Sequence, residues 1–265
     1  MDRITATFKQ LAEKNEKALV GFVTAGDPTI EKSRQIIAAM CEAGIDILEL
    51  GVPFSDPTAD GPVIQRSSER SLANGTTLKT VLDMTAELRG RSRAPIILFS
   101  YYNPVFSYGA EKFYKDARAA GADGVLIVDL PPEESDELTA CWTGTDFALI
   151  RLIAPTTPPD RIAKVAADAS GFIYLVSMTG VTGSAGLDTG HIAGLCNLVR
   201  GKTALPLCVG FGISTADEVT AVAKTADGVV IGSAFERLIE ENINRPDIVE
   251  ILARRTREYK AATKM

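Results

Sequence analysis

The stretch IDILELGVPFSDPTADGP, from Ile45 to Pro62, joins an apolar run to a loop rich in proline and acid. Its first part, Ile45–Leu50, has the branched apolar side chains of a β-strand, and an acid, Glu49, lies inside that pattern. The prolines and glycines that follow predict a loop that ends at a helix near Val63. This succession of strand, loop and helix is the repeating unit of parallel α/β folds.

The same alternation continues along the chain. Near-continuous hydrophobic runs are typical of parallel strands covered by helices on both faces. The predicted strands are Ala18–Val23, Ile45–Leu50, Ile96–Tyr101, Gly124–Asp129, Ala148–Ile153, Phe172–Ser177, Leu205–Val209 and Gly228–Ile231. Helical spacing is clearest in Glu31–Glu42, Leu78–Leu88, Glu111–Ala119 and Asp217–Ala223. These alternations favour a closed (β/α)8 barrel over an open doubly wound sheet.

Two further helices are predicted at the chain ends, at Ile4–Lys14 and Ile248–Tyr259. The gap between the second and third strands is the longest and predicts two helical pieces. We therefore expect an α/β protein in which residues 1–265 form a single (β/α)8 TIM barrel domain with extra N-terminal and C-terminal helices.

Composition excludes several functions. A net charge of −6 and a pI near 5.0 argue against binding to nucleic acid or to an anionic membrane. The chain has no signal-peptide stretch and no apolar run of membrane-spanning length, so we expect a cytoplasmic protein. The single histidine, His191, is predicted to lie on the surface, and it cannot form a histidine-rich metal site. The cysteines are predicted to be buried free thiols: Cys41, Cys141, Cys196 and Cys208.

Glu49 is the first candidate catalytic residue. Side chains alternate along a strand, so Ile47 and Glu49 share one face while Leu48 and Leu50 share the other. If the leucines pack against helices, Glu49 points into the barrel at the carboxyl end, where barrel enzymes carry their active sites. Burial there raises the pKa of a carboxyl group and suits it to proton transfer near neutral pH. The structural alternatives are an ion pair with a buried arginine, for which Arg151 is the candidate, and the capping of a loop.

The loop after this strand carries two more acids. Ser55-Asp56-Pro57 is typical of a turn, which makes Asp56 a turn residue. Asp60 precedes a helix and has the residue type of an N-cap. Alternatively, Asp60 and Glu49 enter one pocket from different environments, as acid–base pairs do.

Glycines follow the last strands of the predicted barrel. Gly210-Phe211-Gly212 ends the seventh strand, Gly232-Ser233 ends the eighth, and Gly180-Val181-Thr182-Gly183 follows the sixth. Glycines at these ends let backbone N–H groups approach a phosphate, and a helix N-terminus adds partial positive charge. Turn formation is the alternative, but the pairing at strands seven and eight favours phosphate. No strand end carries a Schiff-base lysine, so cofactor-free acid–base chemistry on a small phosphate ester remains.

Several motifs resemble those of the tryptophan synthase alpha subunit family, and they run in order over essentially the whole chain. They are Glu49–Pro57, Ala59–Pro62, Gly21–Pro28, Tyr101–Pro104, Asp129–Glu134, Gly180–Gly183 and Gly210–Ile213. The resemblance implies retro-aldol cleavage of indole-3-glycerol phosphate to indole and glyceraldehyde 3-phosphate. It implies that Glu49 is the general acid–base and that Asp60 accepts a hydrogen bond from the indole N–H.

The resemblance also implies a set of binding residues. The predicted walls of the indole site are Phe22, Tyr101, Ile153, Tyr174 and Phe211. The predicted phosphate cradle is Gly183, Gly212, Gly232 and Ser233, and Thr182 is expected to meet Asp60 when the loops close. One departure from some relatives is that no basic residue lies between Gly171 and Gly190, which leaves the charge on the phosphate unaccounted for.

Members of the family pair with a pyridoxal-phosphate β subunit in an αββα heterotetramer, so we expect no cofactor in this chain. Pro53–Asp60 and Asn103–Tyr108 are the predicted contacts with that partner. The alternatives are a stand-alone indole-3-glycerol-phosphate lyase, a phosphate-binding barrel such as a ribose phosphate isomerase, and a non-enzymatic ligand-binding subunit.

Overall fold

A computed structural model describes residues 1–144, 146–177, 188–210 and 212–264. The strands in this part of the chain are β1 (Ala18–Thr24), β2 (Ile47–Gly51), β3 (Ile96–Ser100), β4 (Gly124–Ile127), β5 (Ala148–Ile153), β6 (Ile173–Val176), β7 (Leu207–Gly210) and β8 (Gly228–Ile231). All are parallel, each pairs with the next in chain order, and β8 pairs with β1 to close the barrel. The predicted (β/α)8 barrel is therefore confirmed.

Helices surround the barrel. They are α1 (Arg3–Glu13), α2 (Ile30–Glu42), α3 (Pro62–Ala73), α4 (Leu78–Arg89), α5 (Tyr102–Tyr108), α6 (Ala110–Ala120), α7 (Ser135–Thr139), α8 (Pro159–Ala167), α9 (Thr189–Arg200), α10 (Ala216–Ala223), α11 (Ser233–Glu241) and α12 (Ile248–Ala262). The two helical pieces predicted between β2 and β3 are α3 and α4, and the predicted terminal helices are α1 and α12. No helix of the described residues is long and apolar enough to cross a membrane.

The core has two layers, as strand alternation requires. The outer layer, between barrel and helices, contains Leu48 and Leu50. The inner layer fills the barrel and contains Ile47, Ile97 and Phe172. Helix α1 adds Ile4 and Leu11 to this inner layer, and the ring of Phe8 lies 6.1 Å from that of Phe172. The N-terminal helix therefore closes the amino end of the barrel.

Carboxylates at the amino end of the barrel bind strand backbone. Asp46 accepts a hydrogen bond from Leu19 N–H at 2.7 Å. Asp123 accepts one from Ile96 N–H at 2.9 Å, and Asp227 accepts one from Leu207 N–H at 3.0 Å. These acids satisfy donors at the starts of strands, which indicates a stabilising rather than a catalytic end of the barrel.

Two strands begin later than the sequence pattern predicts. β2 begins at Ile47 rather than Ile45, because Ile45 N–H donates to the carbonyl of Met40 at the end of α2. β7 begins at Leu207 rather than Leu205, because Pro206 has no N–H to donate to a neighbouring strand.

The cysteines of the described chain are free. Cys196 and Cys208 are buried as predicted, whereas Cys41 and Cys141 are partly exposed, which corrects their predicted burial. His191 is exposed near the start of α9, as predicted, and its backbone N–H donates to the Asp188 side chain at 2.9 Å.

Candidate active site

Glu49 points into the barrel because of its register in β2. Its neighbours across the sheet are Phe22 on β1 and Ile97 on β3, both of which face inward. Gly51, the last residue of β2, leaves room for the Phe22 ring, since a Cβ at that position would lie 2.8 Å from the ring. The sequence prediction for the direction of Glu49 is thus confirmed.

The carboxyl group of Glu49 is buried without a partner. Its residue is 1% exposed, and neither carboxyl oxygen has a hydrogen-bond partner among the described residues. Burial raises the pKa of Glu49 to about 8. At pH 7 the group is therefore mostly protonated, because desolvation disfavours the charged form.

Arg151 does not pair with Glu49. Its guanidinium group pairs with Asp168, with Nε at 2.8 Å, and it donates to the carbonyl of Leu130 at 2.7 Å. The outward direction of Arg151 on β5 rules out the structural alternative in which this arginine neutralises Glu49.

Asp60 is held by Tyr101. The Tyr101 hydroxyl donates to Asp60 Oδ2 at 3.1 Å and accepts from Ala59 N–H at 2.9 Å. Burial raises the pKa of Asp60 to about 6, although the hydrogen bond from Tyr101 opposes the rise. The N-cap of α3 is Gly61, so Asp60 is not the cap that its residue type suggested.

A cavity at the carboxyl end of the barrel brings both acids together. It encloses about 770 Å³ of empty space when the open solvent at its mouth is included. Its described lining comprises Phe22, Glu49, Asp60, Gly61, Pro62, Val63, Ile64, Phe99, Tyr174, Gly212, Ile213, Val230, Gly232, Ser233 and Arg237.

The side of the cavity formed after β7 and β8 presents backbone donors. Ser233 is the first residue of α11. The N–H groups of Phe235 and Glu236 both donate to the Gly232 carbonyl and are the first to form hydrogen bonds within this helix. The N–H groups of Ser233 and Ala234 precede them, as orphan donors do at a helix N-terminus. Gly212 has φ +78°, a backbone conformation that favours glycine.

Some predicted site residues lie elsewhere. Ile153 is fully buried in the outer layer, because the alternation of β5 directs Leu152 inward and Ile153 towards the helices. Tyr101 contacts Asp60 instead of lining the described cavity. Thr182, Gly183 and Phe211 lie outside the described residues.

Two features escaped the sequence reasoning. Arg237 lines the cavity one helical turn after Ser233, and the i, i+4 spacing from Ser233 was a signal that could have found it. Phe99 also lines the cavity, as its alternation with Ile97 on β3 would predict.

A buried network behind the cavity was also missed. Glu236 is fully buried and accepts a hydrogen bond from Thr24 N–H at 2.6 Å. Burial and the nearby charge of Asp27 raise the pKa of Glu236 well above its ordinary value. Arg70 clamps Asp27 at 2.7 and 2.8 Å and also binds Glu240 at 2.9 Å.

A closed barrel of this kind, with two carboxyl groups and a helix N-terminus at the carboxyl end of its strands, has the architecture of a (β/α)8-barrel enzyme. Comparisons with known proteins make the assignment specific. The sequence profile of the tryptophan synthase alpha chain matches residues 8–264. The tryptophan synthase alpha chain of Desulfosudis oleivorans is 76% identical over 265 residues, with 100% of both chains covered. That of Desulfatibacillum aliphaticivorans is 61% identical over 264 residues, again with 100% of both chains covered.

Solved structures agree with the sequence comparison. The tryptophan synthase alpha subunit of Legionella pneumophila superposes with a TM-score of 0.91 at 36% identity, covering 99% of this chain and 98% of that one. The chain belongs to the tryptophan synthase alpha chain family. It is a lyase that cleaves indole-3-glycerol phosphate in tryptophan biosynthesis, and its family implies a β-subunit partner. The isomerase and the non-enzymatic alternatives are thereby excluded.

Proposed function

We propose that Glu49 is the general acid–base of the cleavage and that Asp60 stabilises the indole ring during it. The observation that carries this proposal is the pair of Glu49 oxygens, buried and unpartnered among the described residues while facing the cavity. A buried polar group without a partner is costly, and such groups concentrate at functional sites.

In the first step of the proposed reaction, Glu49 donates its proton to C3 of the indole ring. Protonation removes the aromaticity of the five-membered ring and places positive charge on the ring nitrogen. Asp60, ionised above a pKa of about 6, accepts the ring N–H and stabilises that charge. The Glu49 carboxylate then takes the proton of the adjacent glycerol hydroxyl. The bond between C3 and the glycerol carbon breaks, its electrons return to the ring, and Glu49 is again protonated. Indole and glyceraldehyde 3-phosphate are the products.

The remaining pocket residues fit this chemistry. Phe22 and Tyr174 offer apolar walls to the indole ring, and we assign Tyr101 the role of orienting Asp60. We assign the phosphate to Gly212, Gly232 and Ser233, with N–H donors at the start of α11 supporting that choice. Thr182, Gly183 and Phe211 keep their predicted roles in the pocket, and Ile153 is left out of it because of its outward direction.

We also propose the subunit composition of the assembly, the location of its cofactor and the surface through which this chain contacts its partner. We infer an αββα heterotetramer in which pyridoxal phosphate belongs to the β subunit and this chain needs no cofactor. Contact through Pro53–Asp60 and Asn103–Tyr108 is supported by Phe106 of α5, which is 59% exposed despite its apolar side chain. We further propose one domain over residues 1–265 and a cytoplasmic location.

The test is indole release from indole-3-glycerol phosphate by the purified chain, alone and with a tryptophan synthase β subunit. We expect slow release alone and a sharp rise with the partner, because loop closure over the cavity is coupled to the partner. Equally fast release in both cases would make the chain a stand-alone lyase. No release in either case would overturn the roles given to Glu49 and Asp60.

A further inference from the structure

We propose that Arg237 supplies the positive charge that neutralises the substrate phosphate. This inference rests on the phosphate site proposed above and names the side chain that accompanies its backbone donors. The glycine-rich cradle offers only partial charges, and a phosphate ester near pH 7 carries close to two negative charges. A full cation next to the cradle is therefore the missing component of the site.

Arg237 has the position for this role. It lines the cavity together with Gly212, Gly232 and Ser233. It lies four residues after Ser233 on α11, so both side chains lie on the same face of the helix. Among the described residues that line the cavity, it is the only cation.

Arg237 is also free to bind an anion. Arg66 and Arg70 on the adjacent α3 are engaged by Glu240, which is also on α11. Arg237 makes no ion pair within the described residues, and its side chain is exposed at the mouth of the cavity. Of the acids on α11, Glu236 is buried against Thr24 and Glu240 binds the two arginines. Glu241, four residues after Arg237, forms no ion pair with it in the described part of the chain.

The charges of the residues that line the cavity also support a phosphate-binding role for Arg237. Glu49 is mostly neutral at pH 7, whereas Asp60 is mostly ionised. Without Arg237, a dianionic ester would enter a cavity whose described lining carries one negative charge. With Arg237 the lining is balanced, and the guanidinium group can donate two N–H groups to one phosphate.

The test compares Arg237→Gln with Arg237→Lys in the complex with the β subunit. We expect Arg237→Gln to raise KM for indole-3-glycerol phosphate about tenfold with kcat changed less than about twofold, as loss of ground-state binding does. Arg237→Lys should recover most of the affinity. Inhibition by glycerol 3-phosphate, used as a probe of the phosphate site, should weaken by the same factor in Arg237→Gln.

Arg254→Gln is the matched control, since Arg254 is an exposed arginine on α12. It should leave KM unchanged. Added NaCl should raise KM strongly in the wild type and weakly in Arg237→Gln, because the charge contribution is screened by salt. An indole glycerol substrate without phosphate should be cleaved equally by wild type and Arg237→Gln.

An unchanged KM in Arg237→Gln, or a fall in kcat alone, would overturn the role of Arg237 while leaving the proposed function intact. Failure of the wild-type complex to cleave the phosphate ester would instead overturn the proposed function.

Discussion

Glu49 and Glu236 are both buried glutamates, 1% and 0% exposed, yet their surroundings differ. Glu49 faces an open cavity, and neither of its oxygens has a partner among the described residues. Glu236 lies behind the same cavity: its Oε1 accepts from Thr24 N–H, and its Oε2 has no hydrogen-bond partner among the described residues. Asp27, which Arg70 neutralises, is close enough to affect the pKa of Glu236. Burial raises the pKa of both groups.

The difference separates a reactive acid from a structural one. A raised pKa alone does not distinguish them, because desolvation acts on both. What distinguishes them is the direction of the carboxyl group: one faces space where a substrate can bind, and the other faces backbone and side chains of its own protein. The network of Glu236 connects α11 with β1, with the loop after β1 and with α3. It therefore stabilises the position of α11, whose N-terminus forms part of the proposed phosphate site.

The largest expected effect contrasts the same substitution at both sites. Glu49→Gln should lower kcat by about 10²–10⁴-fold, because an amide cannot exchange the proton that the reaction requires. Glu236→Gln should keep kcat within about threefold, since an amide can accept from Thr24 N–H and donate to Asp27. Steady-state indole release measures both. Similar losses in the two variants would abolish the distinction drawn between these residues.

The second effect concerns the network behind the cavity. Arg70→Met should lower the free energy of unfolding by about 3 kcal/mol, because the Asp27 carboxylate, whose side chain is fully buried, loses its cation. Urea denaturation of the purified chain measures this change.

Arg66→Met serves as the matched control for that loss. Arg66 is 47% exposed and pairs with Glu240 at the surface, so its removal should cost clearly less stability than the removal of Arg70. Equal losses from Arg66→Met and Arg70→Met would show that the buried ion pair adds nothing beyond a surface pair.

The third and smallest effect is the pH dependence of stability at Glu49. The unfolded chain releases this proton near the ordinary value of 4.5, whereas the folded chain holds it up to about 8. The folded state therefore binds more protons in this window, and wild-type stability falls as pH rises from about 4.5 to about 8. Glu49→Gln removes this contribution, so the stability of the variant relative to the wild type should be roughly 2 kcal/mol larger at pH 6.5 than at pH 5.

Denaturation of both proteins across this pH range is the measurement. Glu13→Gln, at an exposed position on α1, is the control variant. A flat difference between Glu49→Gln and the wild type would mean that Glu49 is ionised in the folded chain.

Local sequence patterns were enough to predict the barrel and the direction of Glu49. Hydrophobic runs determine which segments become covered strands, and the period of two along a strand determines which side chains face inward. The same rule, applied to β5, gives the outward direction of Ile153 and Arg151. The prediction for Ile153 was wrong because it rested on the family resemblance, whereas the alternation along β5 directs this side chain outward.

Contacts between distant segments could not be predicted in this way. The hydrogen bond from Tyr101 to Asp60 depends on how the loop after β2 folds over the end of β3. The network of Glu236 joins side chains more than 200 residues apart, and no spacing in the sequence signals that pairing. Such contacts become visible only when the register of the closed sheet is known.

Helix α1 determines the end of the barrel at which substrate enters and product leaves. Ile4 and Leu11 pack with Phe172 in the inner layer, so the described part of the barrel is closed at its amino end. Reactant must arrive and indole must depart past the rim that carries Asp60. A protein that binds to that rim therefore affects both substrate entry and product release. It can also bind the released indole before the indole reaches bulk solvent.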